Sequence, residues 1–287
     1  MGHKYTASIV IPTYNRAHLV SKAIETAMSQ TVPCEVIVCD HGSTDNTQQV
    51  IANYRDKVRY IRREVDSGPF FSWLDGILTA RSEYVHITHD DDWIEENFIE
   101  KCLNSFSSTC AFSFSAAHVH SKEGITSHSK DLFESGVHDA KAIEAILLSM
   151  TLTLSPSCAV FRRCDAIRSI MPVGLPVARH EYHGAGSDLL LFLLPLLRYH
   201  EFGYVNECLA HFLAHDGSIT TDAIGDKIKL AQLKSAYDEA RQYYLILKEA
   251  EKRNRGCRLH QNWILRRAIL NRMKSAWGRL SKLRYAR

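Results

Sequence analysis

The sequence predicts an α/β fold, a mainly parallel sheet flanked by helices, with a helical C-terminal extension. Three observations carry this prediction. Short apolar runs alternate with helix-periodic segments through the first hundred residues. The runs stop at proline or at polar clusters, as buried strands do. Beyond Asp222 the apolar residues recur only at helical spacing.

The elements follow in order. Ser8 to Ile11 is a strand stopped by Pro12. Leu19, Val20, Ala23, Ile24, Ala27 and Met28 share one helical face. Glu35 to Cys39 is a second strand. Val50, Ile51 and Tyr54 mark a helix before the strand Val58 to Ile61. A helix is expected from about Phe70 to Ala80, then the strand Tyr84 to Thr88. The pattern is less regular from 100 to 220. Strands are read at Ala111–Ser115, Cys158–Phe161 and Val205–Phe212, and helices at Ala140–Met150 and Ser187–Leu197, the latter broken by Pro195. We expect one α/β domain over 1–222, in halves 1–100 and 101–222, and a basic helical extension over 223–287.

Composition narrows the function classes. The chain has 287 residues, 45% of them hydrophobic and 23% charged, an ordinary globular composition. The longest apolar stretch, Leu189 to Leu197, is far short of the roughly 20 residues that cross a bilayer. With a strand expected from about Ala7, no export signal is expected ahead of it. The eight cysteines include no Cys-x-x-Cys pair and are expected as reduced, buried thiols. Structural zinc spacings are absent, so the 15 histidines could ligate only from a distance. The net charge of +3 hides an asymmetry. Residues 252–287 carry twelve Lys/Arg and no acid, whereas 1–251 carry 23 basic and 32 acidic residues. An acidic body with a basic tail points the tail at an anionic surface or nucleic acid.

In a parallel sheet, ligands sit beyond the carboxyl ends of the strands. Three polar clusters fall there: Pro12-Thr13-Tyr14-Asn15-Arg16, Asp40-His41-Gly42-Ser43-Thr44-Asp45, and His89-Asp90-Asp91-Asp92-Trp93. Three adjacent carboxylates repel one another, and a divalent cation relieves the repulsion. An exposed turn or helix cap is the bland alternative.

Taken in order and spacing, Ser8–Arg16, Val36–Thr47 and the Asp triplet resemble the family 2 glycosyltransferases of GT-A fold. The resemblance is strong over residues 5–100, weaker to about 220, and leaves the tail outside. It implies a nucleotide-diphosphate sugar donor held by Pro12, Thr13, Tyr14, Asn15, Arg16, Asp40, Gly68, Asp90 and Asp91. It also implies Mg²⁺ or Mn²⁺ on Asp91, Asp92 and His215. Residues 1–100 become the nucleotide-binding half and 101–222 the acceptor-binding half. Asp188, at a helix start about a hundred residues past the triplet, is the expected general base. Its bland reading is a helix cap. Glu181 is the substitute base. Trp93, His180, Glu181 and His183 are expected on the acceptor side. Two departures stand out: His41 replaces the usual Asp or Gly, and Asp66–Gly76 lacks the Asn or Arg often found there.

Elsewhere the bland readings are preferred. His118-Val-His120 reads as hairpin alternation rather than a metal pair. Phe70, Phe71 and Trp73 read as helix-face packing, Tyr243 and Tyr244 as core. Leu265, Ile269, Met273, Ala276, Leu280 and Leu283 line one helical face, with basic residues opposite and Trp263 and Trp277 at its flanks. That pattern suits an anionic membrane surface, so residues 255–287 are expected to hold the protein peripherally on the inner face of the cell membrane, in the cytoplasm. Packing on the domain or in a homodimer is the alternative; nucleic acid is not expected. The reading is then an inverting, metal-dependent glycosyltransferase, acting on a glycan or lipid-linked glycan in cell-surface polysaccharide synthesis. Its rivals are a nucleotidyltransferase, disfavoured by the glycine-free loop after the first strand, and a non-catalytic binding protein on the same fold.

Overall fold

The computed structural model describes residues 5–66, 68–149, 151–152, 154–171, 175, 185–218, 223 and 225–256. The chain divides into two units, Met1–Tyr244 and Leu245–Arg287. The sheet and the polar clusters all belong to the first.

The described strands are β1 (Ala7–Thr13), β2 (Cys34–Asp40), β3 (Arg59–Arg62), β4 (Tyr84–Ile87), β5 (Trp93–Ile94), β6 (Cys110–Ser121), β7 (Gly124–His128), β8 (Gly136–Asp139), β9 (Ala159–Arg162) and β10 (Glu201–Leu213). The main path runs β3-β2-β1-β4-β9-β6-β10-β5, with β7 on β6 and β8 on β10. β1 pairs in parallel with β2 and β4, and β2 with β3. β9 is antiparallel to both β4 and β6, while β10 is parallel to β6. Two reversals cancel, so β1, β2, β3, β4, β6 and β10 all end at one edge. This is the mainly parallel, helix-flanked GT-A sheet expected from the sequence.

Register places the polar clusters side by side. Thr13 pairs with Asp40, and Asp40 with Arg62. All seven residues of β1 are buried, because the strand lies inside the sheet and is covered on both faces. Helix α1 (Val20–Met28) buries Val20, Ala23, Ile24 and Ala27, the i, i+3, i+4, i+7 stripe. Helix α3 (Pro69–Thr79) starts one residue before the expected Phe70, with Pro69 in its first turn behind Gly68 at φ 84°. α3 lies so close to β1 that a Cβ on Gly76 would overlap Val10. Helix α2 spans Thr47–Ala52, α4 Phe98–Asn104, α5 Ala140–Leu148 and α6 Arg163–Ser169.

The second half departs more from expectation. β10 begins at Glu201 rather than Val205, since the β8 partner extends its ladder from Glu201 to Tyr204. The helix expected over Ser187–Leu197 is α7 (Ser187–Leu193) followed by a 3₁₀ turn at Pro195–Leu197. Pro195 cannot donate to the helical ladder, so the helix stops. The final helix, α8 (Lys227–Gly256), spans the boundary of the two units. Within the first unit, Arg241 Nε donates to the Leu147 carbonyl at 2.9 Å and the Tyr244 hydroxyl to Glu144. Tyr244 is core, as expected; Tyr243 is half-buried. Cys39, Cys102, Cys110 and Cys158 are buried free thiols. None of the described helices is long and apolar enough to cross a membrane. The basic segment past Gly256 lies outside the described residues.

Candidate active site

The loops after β1 and β2 hold each other. Asn15 sits at φ 53°, a left-handed turn that asparagine tolerates. Its amide donates to Ser43 Oγ at 2.9 Å, and its Oδ1 accepts from the Thr44 amide at 2.8 Å. Arg16 hands its amide to Thr47 Oγ1 at 3.1 Å and its guanidinium to the Gly217 carbonyl at 3.0 Å. Asp40 is buried and its carboxylate is well occupied. It accepts from the Gly42 and Ser43 amides at 3.1 and 2.8 Å and from the Tyr60 hydroxyl at 2.7 Å. Tyr14 stacks on His41, centroids 4.7 Å apart, and His41 Nδ1 lies 2.7 Å from Asp66 Oδ1.

The acidic turn follows β4. The Tyr14 amide approaches Asp90 Oδ2 at 3.4 Å, and the Leu213 amide donates to Asp92 Oδ1 at 3.3 Å. The His89 amide donates to Ser157 Oγ at 3.1 Å, and its ring lies 3.4 Å from Asp92. His215, just past β10, puts Nε2 3.0 Å from Asp91 Oδ2. Strands far apart in sequence thus converge because they end at one edge.

Burial and the neighbouring Asp91 charge push the Asp90 carboxyl up to about 7. Asp92 is raised too, first by burial and then by Asp91. For His89 burial favours the neutral ring, but the hydrogen bond to Asp92 and the three aspartates outweigh it and lift the imidazole to about 9. The cluster grips protons because it concentrates negative charge away from water. His89, Asp91 and Asp92 each offer a donor atom within 4.8 Å of the others. Two carboxylates at that separation repel by about 3 kcal/mol at an effective dielectric near 20. Mixed oxygen and imidazole donors under that repulsion fit a divalent cation. His89 was not assigned as a ligand from the sequence, although it adjoins the triplet; only the fold turns its ring toward Asp92.

Asp188 lies in the first turn of α7. Its Oδ1 accepts from the Gly186 amide at 3.0 Å, and its Oδ2 from the Tyr237 hydroxyl at 2.7 Å. Burial raises its pKa against those donors, and the His89 charge also reaches it, lowering it. Trp93 is engaged by its own chain: its ring stacks on His211 at 5.0 Å and 5°, and Lys22 Nζ lies 3.0 Å from the ring centroid. Trp73 and Phe70 are buried against each other, as expected of a packed helix face. Gly68 caps α3, its amide donating to Asp66 Oδ1 at 2.8 Å. His180, Glu181 and His183 lie outside the described residues.

An acidic, histidine-flanked turn at the carboxyl edge of a GT-A sheet defines a class, and comparison with known proteins agrees with it. The family model for Glycosyl transferase family 2 matches residues 8–168, more than half of the chain, and the chain belongs to that family. A chondroitin synthase of Pasteurella multocida (strain Pm70) is 34% identical over 102 residues, which are 34% of this chain and 11% of that protein. A poly(ribitol-phosphate) beta-glucosyltransferase of Bacillus spizizenii is 37% identical over 104 residues, 34% of this chain and 16% of that one. The chain thus spans only a minor part of these curated relatives. Among solved structures, S. aureus TarS 1–349 superposes with a TM-score of 0.60 at 19% identity, covering 72% of this chain and 60% of that one. TarS 1–349 has also been solved with UDP-GlcNAc and with UDP.

Proposed function

We propose that this protein transfers a sugar, with inversion, from a nucleotide-diphosphate donor to a hydroxyl of a glycan or lipid-linked glycan in cell-surface polysaccharide synthesis. The observation that carries the reading is the convergence of the β1 and β2 loops, the acidic turn and His215 at one sheet edge, within reach of the Asp188 field. The UDP and UDP-GlcNAc complexes of TarS, and the polysaccharide-making relatives, support a nucleotide-sugar donor.

The residues take roles by position. Pro12, Thr13, Tyr14, Asn15 and Arg16 form the donor wall, with the stacked Tyr14–His41 pair at its rim. Asp40 shapes the Gly42–Ser43 turn on which the nucleoside rests. Gly68 lets the chain turn into α3 beside His41 and Asp66. Asp90 is held near Tyr14, on the ribose side. His89, Asp91 and Asp92 would hold Mg²⁺ or Mn²⁺, with His215 bonded to Asp91; a bound divalent cation supplies positive charge to the leaving diphosphate. Asp188 takes the proton of the acceptor hydroxyl as its oxygen attacks the anomeric carbon and the nucleotide departs. Trp93 and the segment holding His180, Glu181 and His183 are assigned to the acceptor side. We assign 1–222 to catalysis, and the basic segment 255–287 to an anionic membrane surface.

The test is nucleotide release from UDP-, GDP- and dTDP-sugars in the presence of Mn²⁺. Release from at least one donor is expected, with loss of most of it in folded Asp91→Asn. If calorimetry shows that the folded protein binds neither Mn²⁺ nor any of the three nucleotides, the reading fails.

A further inference from the structure

Beside the acidic turn, three histidines given no part above gather next to Trp93. His118 on β6, His211 on β10 and Trp93 on β5 form one cross-strand row, since His211 pairs with both His118 and Trp93. His120, two residues along β6, lies on the same face as His118. Its Nε2 meets His211 Nδ1 at 3.0 Å, and the other nitrogen of His211, Nε2, lies 2.8 Å from Glu95 Oε1. A carboxylate only accepts, so His211 carries its proton on Nε2 and turns the Nδ1 lone pair toward His120. His118 has a buried Nδ1 with no hydrogen-bond partner, and its ring centroid is 5.4 Å from that of His211.

The geometry points to a second cation site: His120 and His211, completed by His118, bind a zinc-class divalent ion, with Glu95 orienting His211 from behind. Two nitrogens on a tetrahedral zinc ion stand roughly 3.3 Å apart, given Zn–N bonds of about 2.0–2.1 Å. The 3.0 Å between His120 and His211 is already close to that. A ligating histidine characteristically gives its other N–H to a carboxylate, and Glu95 is so placed. On binding, the single proton of neutral His120 moves from Nε2, where it bridges to His211, to Nδ1 by exchange with solvent, and the freed Nε2 lone pair faces the ion. His118 joins by turning its ring toward the pair, which gives its buried nitrogen a partner. Burial, the other imidazoles and Lys22 hold His120 below the ordinary range; burial first, then His118 and Lys22, do so for His211. Both are then neutral, the ligating form, at neutral pH. Among the described residues, Lys22, with its ammonium over Trp93, sets a positive charge against a cation here. Glu95 beside His211 favours a cation over an anion. The inference does not depend on the sugar-transfer reading.

The experiment uses metal-free full-length protein carrying Asp91→Asn, which weakens the acidic cluster. Zn²⁺ affinity is measured by competition with a chromophoric chelator, and Co²⁺ is followed by its visible absorption. One equivalent of Zn²⁺ and a tetrahedral Co²⁺ spectrum are expected. In the same background His120→Ala and His211→Ala should weaken Zn²⁺ at least tenfold, and Glu95→Gln by about 10–100-fold. Zn²⁺ affinity unchanged in folded His120→Ala, or no stoichiometric binding, overturns the site. Should the histidine variants fail to fold, Lys22→Met removes no ligand and decides the matter. Tighter Zn²⁺ binding supports the site, and unchanged or weaker binding overturns it.

Discussion

Asp188, the proposed base, is also a helix-end residue. Gly186, not Asp188, stands at the N-cap; the first oxygen of Asp188 accepts from the Gly186 amide and its second from the Tyr237 hydroxyl. Asp188→Asn should cut transfer by about 10²–10⁴-fold with donor affinity little changed, as steady-state kinetics would show. Tyr237 lowers the Asp188 pKa by donating to the charged form. Tyr237→Phe should therefore move the acid limb of the pH–rate profile to higher pH; an unmoved limb would remove Asp188 from the role. His86 gives a second prediction at this scale. Its Nδ1 donates to the Ala159 carbonyl at 2.8 Å, its Nε2 pairs with the Thr88 hydroxyl, and burial drops it from 6.5 to about 4. Between those values the unfolded chain binds a proton that the native protein refuses, so stability falls as pH drops through 6.5 and levels off below about 4. The loss attributable to this group is about 3 kcal/mol. In denaturant titrations the advantage of wild type over His86→Asn should shrink by that order between pH 7 and 4.

Elements carry their own constraints. Gly186 precedes α7 at φ 93°, and a Cβ there would lie 2.5 Å from the Ala236 carbonyl of α8. The start of α7, and Asp188 with it, is thus set by how closely α8 approaches. Gly186→Ala should cost about 2 kcal/mol in denaturant stability and lower turnover, because both the left-handed turn and the close approach are lost. The legibility of elements follows the same logic. The early strands and α1 were plain because the strands are short continuous apolar runs buried on both faces and α1 buries a stripe with a 3.6-residue period. β8 and the early start of β10 were not, since Gly136–Asp139 alternates half-buried and exposed residues and is a strand only through its partner. The ends of α5 and α7 also came earlier than apolarity alone suggested.

At the scale of the molecule, an acidic body precedes a strongly basic tail. Protein ended at residue 254 should keep donor hydrolysis and lose sedimentation with vesicles containing anionic lipid. Equal sedimentation of the shortened and full-length chains would end the membrane assignment. The sequence by itself determined the α/β class, the three polar clusters and their family, because strand ends and apolar periodicity are local properties. The tertiary structure alone decided which clusters meet. Two antiparallel neighbours of β9 bring the ends of β4 and β10 to one edge, so His215 reaches Asp91 across 124 positions of chain. It also drew His89 into the acidic turn, filled Asp40 with bonds from its own loop and from Tyr60 on β3, and gathered His118, His120 and His211 beside Glu95. Such meetings depend on strand order and register, which are set by the packing of the whole sheet and leave no mark at any single position.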